Sequence, residues 1–159
     1  MILYFLRHGL AGSRKDWRGD DFLRPLTKKG MKNMVRQADT FANLDLNLDL
    51  IITSPLARAF QTADIVADEL KLGEMLVQDE RLSPGFGIDD LEQVLNEHAG
   101  AENLMLVGHE PDFSQTISAL IGGCRVVCKK GGLARVDIFS TDPLQGELVW
   151  LIPPGVMLR

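Results

Sequence analysis

Two arginines and two histidines stand at three places where an apolar run gives way to the pattern of a helix or loop. Arg7 and His8 follow the run 2–6, Arg58 lies just beyond 50–53, and His109 lies just beyond 103–107. Charged groups are seldom placed at the end of a buried strand for packing. In open α/β sheets, ligands bind outside the carboxyl ends of the strands. If the three runs are parallel neighbours, their ends share one crevice, beside helix N-termini that also favour anions. Guanidinium forks match phosphate oxygens bidentately. A clamp needs only such cations, so the histidines imply nucleophilic or proton-transfer work. His8, directly after Arg7, is the stronger nucleophile candidate. Neighbouring guanidinium charge should push its pKa down and leave it unprotonated. His109 then serves as a donor to phosphoryl oxygens. With no Walker A loop and no evident carboxylate cluster for Mg²⁺, the expectation is a site without metal or cofactor. Taken singly, each histidine also reads as structural and Arg58 as a solvated helix residue; their appearance at matched junctions favours the joint reading.

The elements that must carry these groups can be read from periodicity. Residues 2–6 read as a buried strand and 9–26 as a loop long enough to be functional. Thr27 suits an N-cap, followed by a helical face of Met31, Met34, Val35, Ala38, Phe41 and Ala42. Residues 50–53 read as a strand. Ser54-Pro55 then reads as a helix start, Ser54 capping, with Leu56, Phe60, Ala63, Ala67 and Leu70 as the buried stripe. A short strand at 75–78, a loop at 84–87, a helix at 89–98, a strand at 103–107 and a helix to 121 follow. Strands at 135–139 and 148–152 complete the chain and suit an antiparallel pair. The alternation predicts an α/β fold, a sandwich with a mostly parallel sheet.

Composition bounds the function. The 159 residues suggest one domain, 1–159, with a real core. The net charge of −5 argues against binding nucleic acid or an anionic membrane, so any phosphate site must be a local cationic cluster. No run approaches the ~20 apolar residues of a membrane helix, and no signal peptide is evident. Cys124 and Cys128 read as reduced, partly buried thiols without partners for a zinc site. A cytoplasmic location is therefore expected.

Three segments together resemble the histidine phosphatase, or phosphoglycerate mutase-like, superfamily: Arg7-His8-Gly9, then Thr53-Ser54-Pro55-Leu56-Ala57-Arg58-Ala59-Phe60-Gln61-Thr62-Ala63, then Val107-Gly108-His109. The resemblance implies a three-layer α/β/α sandwich of phosphoglycerate mutase-like fold. It also implies that His8 becomes phosphorylated while Arg7, Arg58 and His109, with Gly9, bind the phosphoryl group. Within that superfamily the short length, Leu10-Ala11 and the stretch Arg24-Pro25-Leu26-Thr27-Lys28-Lys29-Gly30 resemble phosphohistidine phosphatases of the SixA type. Only about fifty residues separate Arg58 from His109, which implies an open crevice suited to a phosphorylated side chain of a signalling or phosphotransfer protein. A phosphatase or mutase for a small phosphorylated metabolite is the alternative, and a non-catalytic phosphoprotein-binding module is a third.

One departure bears on the substrate. Many superfamily members carry a general-acid glutamate where this chain reads Arg81-Leu82-Ser83-Pro84; Glu80 and Asp89 lie nearby without matching. An alkoxide leaves poorly and needs a proton, whereas an imidazole, with a conjugate acid near ~6.5, needs less help. That favours a P–N bond. Asp20, Asp21 and Arg24 read as loop-ordering residues. Trp17 could line the crevice or pack on the sheet. Lys129-Lys130-Gly131-Gly132 reads as a solvated turn, with docking of an acidic partner as the alternative. His98, at a helix end, is given no function.

Overall fold

A computed structural model describes residues 1–159. One six-stranded sheet runs through the molecule. Strands β1 (Ile2–Arg7), β2 (Leu50–Thr53), β3 (Leu76–Gln78) and β4 (Asn103–Gly108) are mutually parallel, while in the terminal hairpin β5 (Leu133–Thr141) runs antiparallel to β1 and β6 (Leu144–Ile152) runs antiparallel to β5. The spatial order is β3-β2-β4-β1-β5-β6. The strands alternate side chains between two cores, as the period of two requires. Leu3, Phe5, Ile52, Leu104 and Leu106 face one core with Leu91, Val94, Phe113 and Ile117. Tyr4, Leu6, Ile51, Met105 and Val107 face the other with Met34, Phe41, Ala63 and Val66. Helices α3 (Ile88–Glu97) and α4 (Asp112–Leu120) cover the first face. Helices α1 (Lys28–Ala42) and α2 (Ala57–Leu70), with the short α5 (Pro154–Met157), cover the second. This is the α/β/α sandwich expected from the sequence. No helix is long and apolar enough to cross a membrane.

Several local expectations are corrected. Thr27 caps α1 through Gly30 N, as expected, but the buried face is Met34, Gln37, Ala38 and Phe41. Met31 and Val35 are 39% and 42% exposed; the buried face includes Gln37, which turns inward to donate to Gly131 O, in their place. Ser54 does not cap α2, which starts two residues later behind Leu56 with no side-chain cap. Its hydroxyl is committed elsewhere, as shown below. The α2 stripe is Ala59, Thr62, Ala63, Val66 and Ala67, with Phe60 and Leu70 only half-buried. Strands β5 and β6 are each nine residues long and joined at Asp142-Pro143; their outward-facing residues are too mixed for the full length to show in hydropathy. Cys124 is exposed, while Cys128 is buried, and burial pushes its thiol up to about 11. Trp17 neither lines the crevice nor packs on the sheet: it is 37% exposed, and its Nε1 donates to Asp20 O within its own loop.

Candidate active site

The ends of β1, β2 and β4 are held level by the parallel ladder. Arg7 pairs in register with Gly108, and Thr53 with Val107. One step further, His8 N donates to Gly108 O and Ser54 N to Val107 O, both at 3.0 Å. Arg7, His8, Arg58 and His109 therefore open onto a single cavity of about 680 Å³. Gly108 is required by close approach: a Cβ there would lie 2.7 Å from the Phe113 ring.

His8 is 6% exposed, and its Nδ1 lies 2.8 Å from Gly9 O. A carbonyl only accepts, so Nδ1 carries the proton and Nε2 is left with its lone pair. Burial, more than the neighbouring charge anticipated from sequence, lowers the His8 pKa to about 3; the Gly9 bond opposes this, and His109, Arg58 and Arg7 add to it. His8 is thus a neutral imidazole around neutral pH. Gly9 does not line the cavity. It positions His8 through its carbonyl, while its own N–H donates to Thr62 Oγ1 at 3.0 Å. Thr62 in turn donates to Arg58 O within α2, so its hydroxyl ties the end of β1 to the helix that carries Arg58.

His109 lies with its ring centroid 5.3 Å from that of His8. Its Nε2 is 2.8 Å from Ser54 Oγ, and that oxygen already accepts from Leu56 N. We assign the hydroxyl proton to the bond with Nε2, which leaves His109 protonated on Nδ1. That Nδ1 is buried without a partner. Burial, then Arg58, lowers the His109 pKa to about 4.

The guanidiniums show the same incompleteness. Arg7 Nη1 donates to Cys128 O, and Arg58 donates to Asp21 O and Oδ2. The Nε of each is buried and unpartnered. Three N–H groups from three junctions thus lack acceptors around one cavity. Buried donors are rarely left so, and a tetrahedral oxyanion is an acceptor that could satisfy several at once.

Sequence reasoning missed three residues here. Asp21 bridges Arg24 and Arg58; an acid amid the arginines 14, 18 and 24 was the available signal. Ser54 sets the His109 tautomer, and its polarity beside a buried strand end was visible. Glu110 lines the cavity and accepts from Ser114 N. It forms no salt bridge, whereas Asp21 is held by Arg24 and Arg58. Pro84 lines the cavity; Glu80 and Asp89 are exposed and do not. No three His, Cys, Asp or Glu side chains group as a metal-holding set.

A family model described as histidine phosphatase superfamily (branch 1) matches residues 3–84. An uncharacterized protein of Picosynechococcus sp. is 33% identical, with 96% of this chain and 100% of that protein covered. Among solved structures, protein histidine phosphatase SixA complexed with tungstate is similar at a TM-score of 0.87 and 22% identity, over 99% of both chains. The alpha-ribazole phosphatase of Shigella flexneri is similar at 0.75 and 20%, over 97% of both. A mycobacterial glucosyl-3-phosphoglycerate phosphatase matches at 0.75 and 15%, over 96% of this chain and 99% of that one.

Proposed function

This chain belongs to the histidine phosphatase superfamily, and from that premise we propose that it is a phosphatase acting through a phosphohistidine on His8, with a protein phosphohistidine as its substrate. The observation that carries the reading is the set of unpartnered buried donors, Arg7 Nε, Arg58 Nε and His109 Nδ1, around an imidazole held neutral with Nε2 free. A phosphoryl group in the cavity meets the side chains of all three residues. Tungstate, held by the SixA structure of similar fold, is an oxyanion of the same shape.

The reaction proceeds in two displacements. The Nε2 lone pair of His8 attacks phosphorus as the bond to the substrate nitrogen breaks. The leaving imidazole keeps the electron pair and takes a proton from solvent. Arg7 and Arg58 neutralise the charge of the equatorial oxygens and His109 donates a hydrogen bond to them, in a site that is already assembled. Water then attacks phospho-His8, the P–N bond breaks, and the pair returns to Nε2. The water's proton passes to Glu110, the cavity carboxylate without a cation on it, and then to solvent. Inorganic phosphate leaves.

Pro84 at the cavity wall supports an easily displaced leaving group, since no acid side chain stands there to protonate an alkoxide. The small-metabolite reading has its own support: Glu110 does line the cavity, and structures of similar fold include phosphatases of small phosphate esters. A comparison of kcat/KM on a phosphohistidine protein and on a sugar phosphate separates the two. We expect the phosphohistidine to be preferred by at least about a hundredfold, a factor typical of acid assistance. A preference for the sugar phosphate would replace this reading with the metabolite one.

A further inference from the structure

Beyond the groups that grip a phosphoryl and Arg24, which is paired with Asp21, the same cavity is bordered by three more cations, Arg14, Lys15 and Lys130. They lie on two segments far apart in sequence, in a chain of net charge −5. Nothing in the hydrolysis of one phosphoryl group needs them. All three are exposed, and the side chains of Lys15 and Lys130 make no hydrogen bond or ion pair. Arg14 has only a long approach of 3.9 Å to Asp21, with its side chain 81% exposed.

Their mounting, by contrast, is firm. Gly131 N donates to Arg7 O and His8 O, so the turn bearing Lys130 is tied to the nucleophile's own strand end. Gly131 O accepts from Gln37 Nε2, and Gln37 is 2% exposed. Gly131 has φ 75°, and a Cβ there would lie 2.7 Å from Gln37 Oε1. This explains the inward Gln37 and the glycine: together they fix Lys130 at the mouth. On the other side, Arg24 Nη1 donates to Gly12 O and pins the loop that carries Arg14 and Lys15.

We propose that Arg14, Lys15 and Lys130 form a docking rim for acidic residues flanking the phosphohistidine of a protein substrate. The inference rests on the phosphohistidine reading above. A second phosphate of a small ligand is the other anion such cations could meet. The cavity floor shows what this molecule does to hold a small anion: it buries its guanidiniums and fixes them. Long, exposed side chains, at most loosely paired, on pinned backbone suit instead the looser charge pairing of a protein surface, which speeds encounter and orients it.

The test uses the full chain with three substrates: free phosphohistidine, a phosphohistidine peptide flanked by glutamates, and the same peptide flanked by glutamines. The acidic peptide should show a kcat/KM about tenfold above the neutral one at about 20 mM NaCl, shrinking towards parity by about 300 mM as screening sets in. The Lys15→Gln/Lys130→Gln variant should lose that preference and hydrolyse free phosphohistidine at the parent rate. Equal rates on the two peptides, or a preference that survives in the variant, overturn the docking rim and leave the phosphohistidine reading standing. So does an equal loss on free phosphohistidine, which would place the cations in the phosphoryl pocket. Inhibition by pyrophosphate that weakens in the variant, without any peptide preference, would make the rim a second-phosphate site. Failure to hydrolyse any of the three substrates overturns both readings.

Discussion

The floor and the rim of the cavity hold their anion-binding groups in opposite settings: guanidiniums and a neutral imidazole on the floor, solvated cations at the rim. On the floor, Arg58 and His109 are 4% and 3% exposed, and each is set by named partners: Asp21 for Arg58, Ser54 for His109. Burial opposes charge there, lowering the pKa of Arg7, Arg58, His8 and His109 alike. At the rim, Arg14 projects into solvent with its side chain 81% exposed. The lesson is one of division of labour. Desolvated, fixed donors act strongly on charge that develops at one point. Solvated cations act weakly and over a distance, through salt-sensitive steering.

Substitutions that test this contrast should fall in a clear order. Arg58→Ala removes a desolvated donor, so kcat/KM should fall by about 10²–10³-fold, measured by phosphate release. A loss below tenfold would mean the floor is no more demanding than the rim. Ser54→Ala leaves the cations in place but removes the partner that assigns His109 its tautomer; we expect a loss of about tenfold, in keeping with the cost of deleting a residue that orients a functional ligand. Its pH profile should change as well, since a merely structural role would leave that profile alone. Arg14→Gln should cost less than about threefold on small substrates, because an exposed cation is worth little.

The pH response sharpens the same contrast. His8 and His109, held near 3 and 4, should show no imidazole titration by NMR between pH 8 and about 5. A pKa above 6.5 for His8 would contradict the neutral-nucleophile account. The sign for stability follows. The unfolded chain takes up these protons near ~6.5, whereas the folded chain does so only towards 4 and 3. The native state therefore binds fewer protons in that window, and stability is full above about pH 6.5 and falls as the pH drops through it.

How much of this was legible in the sequence depends on the scale of the interaction. The three junctions were readable because strand and helix periodicities change there, and the parallel ladder then brought Arg7, His8, Arg58 and His109 together. The partners of those residues were not. Asp21 meets Arg58 across a loop closed by Arg24 and Gly12. Ser54 looked like a helix cap because its local pattern satisfies that role, yet His109 from another strand claims its hydroxyl. Gln37 lies on a helical face where polarity predicts solvent, and a glycine turn from the far end of the chain draws it inward. Local pattern specified the elements. Hydrogen bonds between elements distant in sequence decided the site's orientation.

The central claim is that His8 attacks phosphorus and carries it covalently. Rapid acid-free quenching of the parent protein with a phosphohistidine substrate, followed by mass mapping, should find acid-labile, base-stable phosphate on His8. The His8→Ala variant should carry none and should release phosphate roughly 10⁶-fold more slowly, the scale of a lost nucleophile. Undiminished phosphate release by His8→Ala, or phosphate mapped to any other residue, would contradict the account.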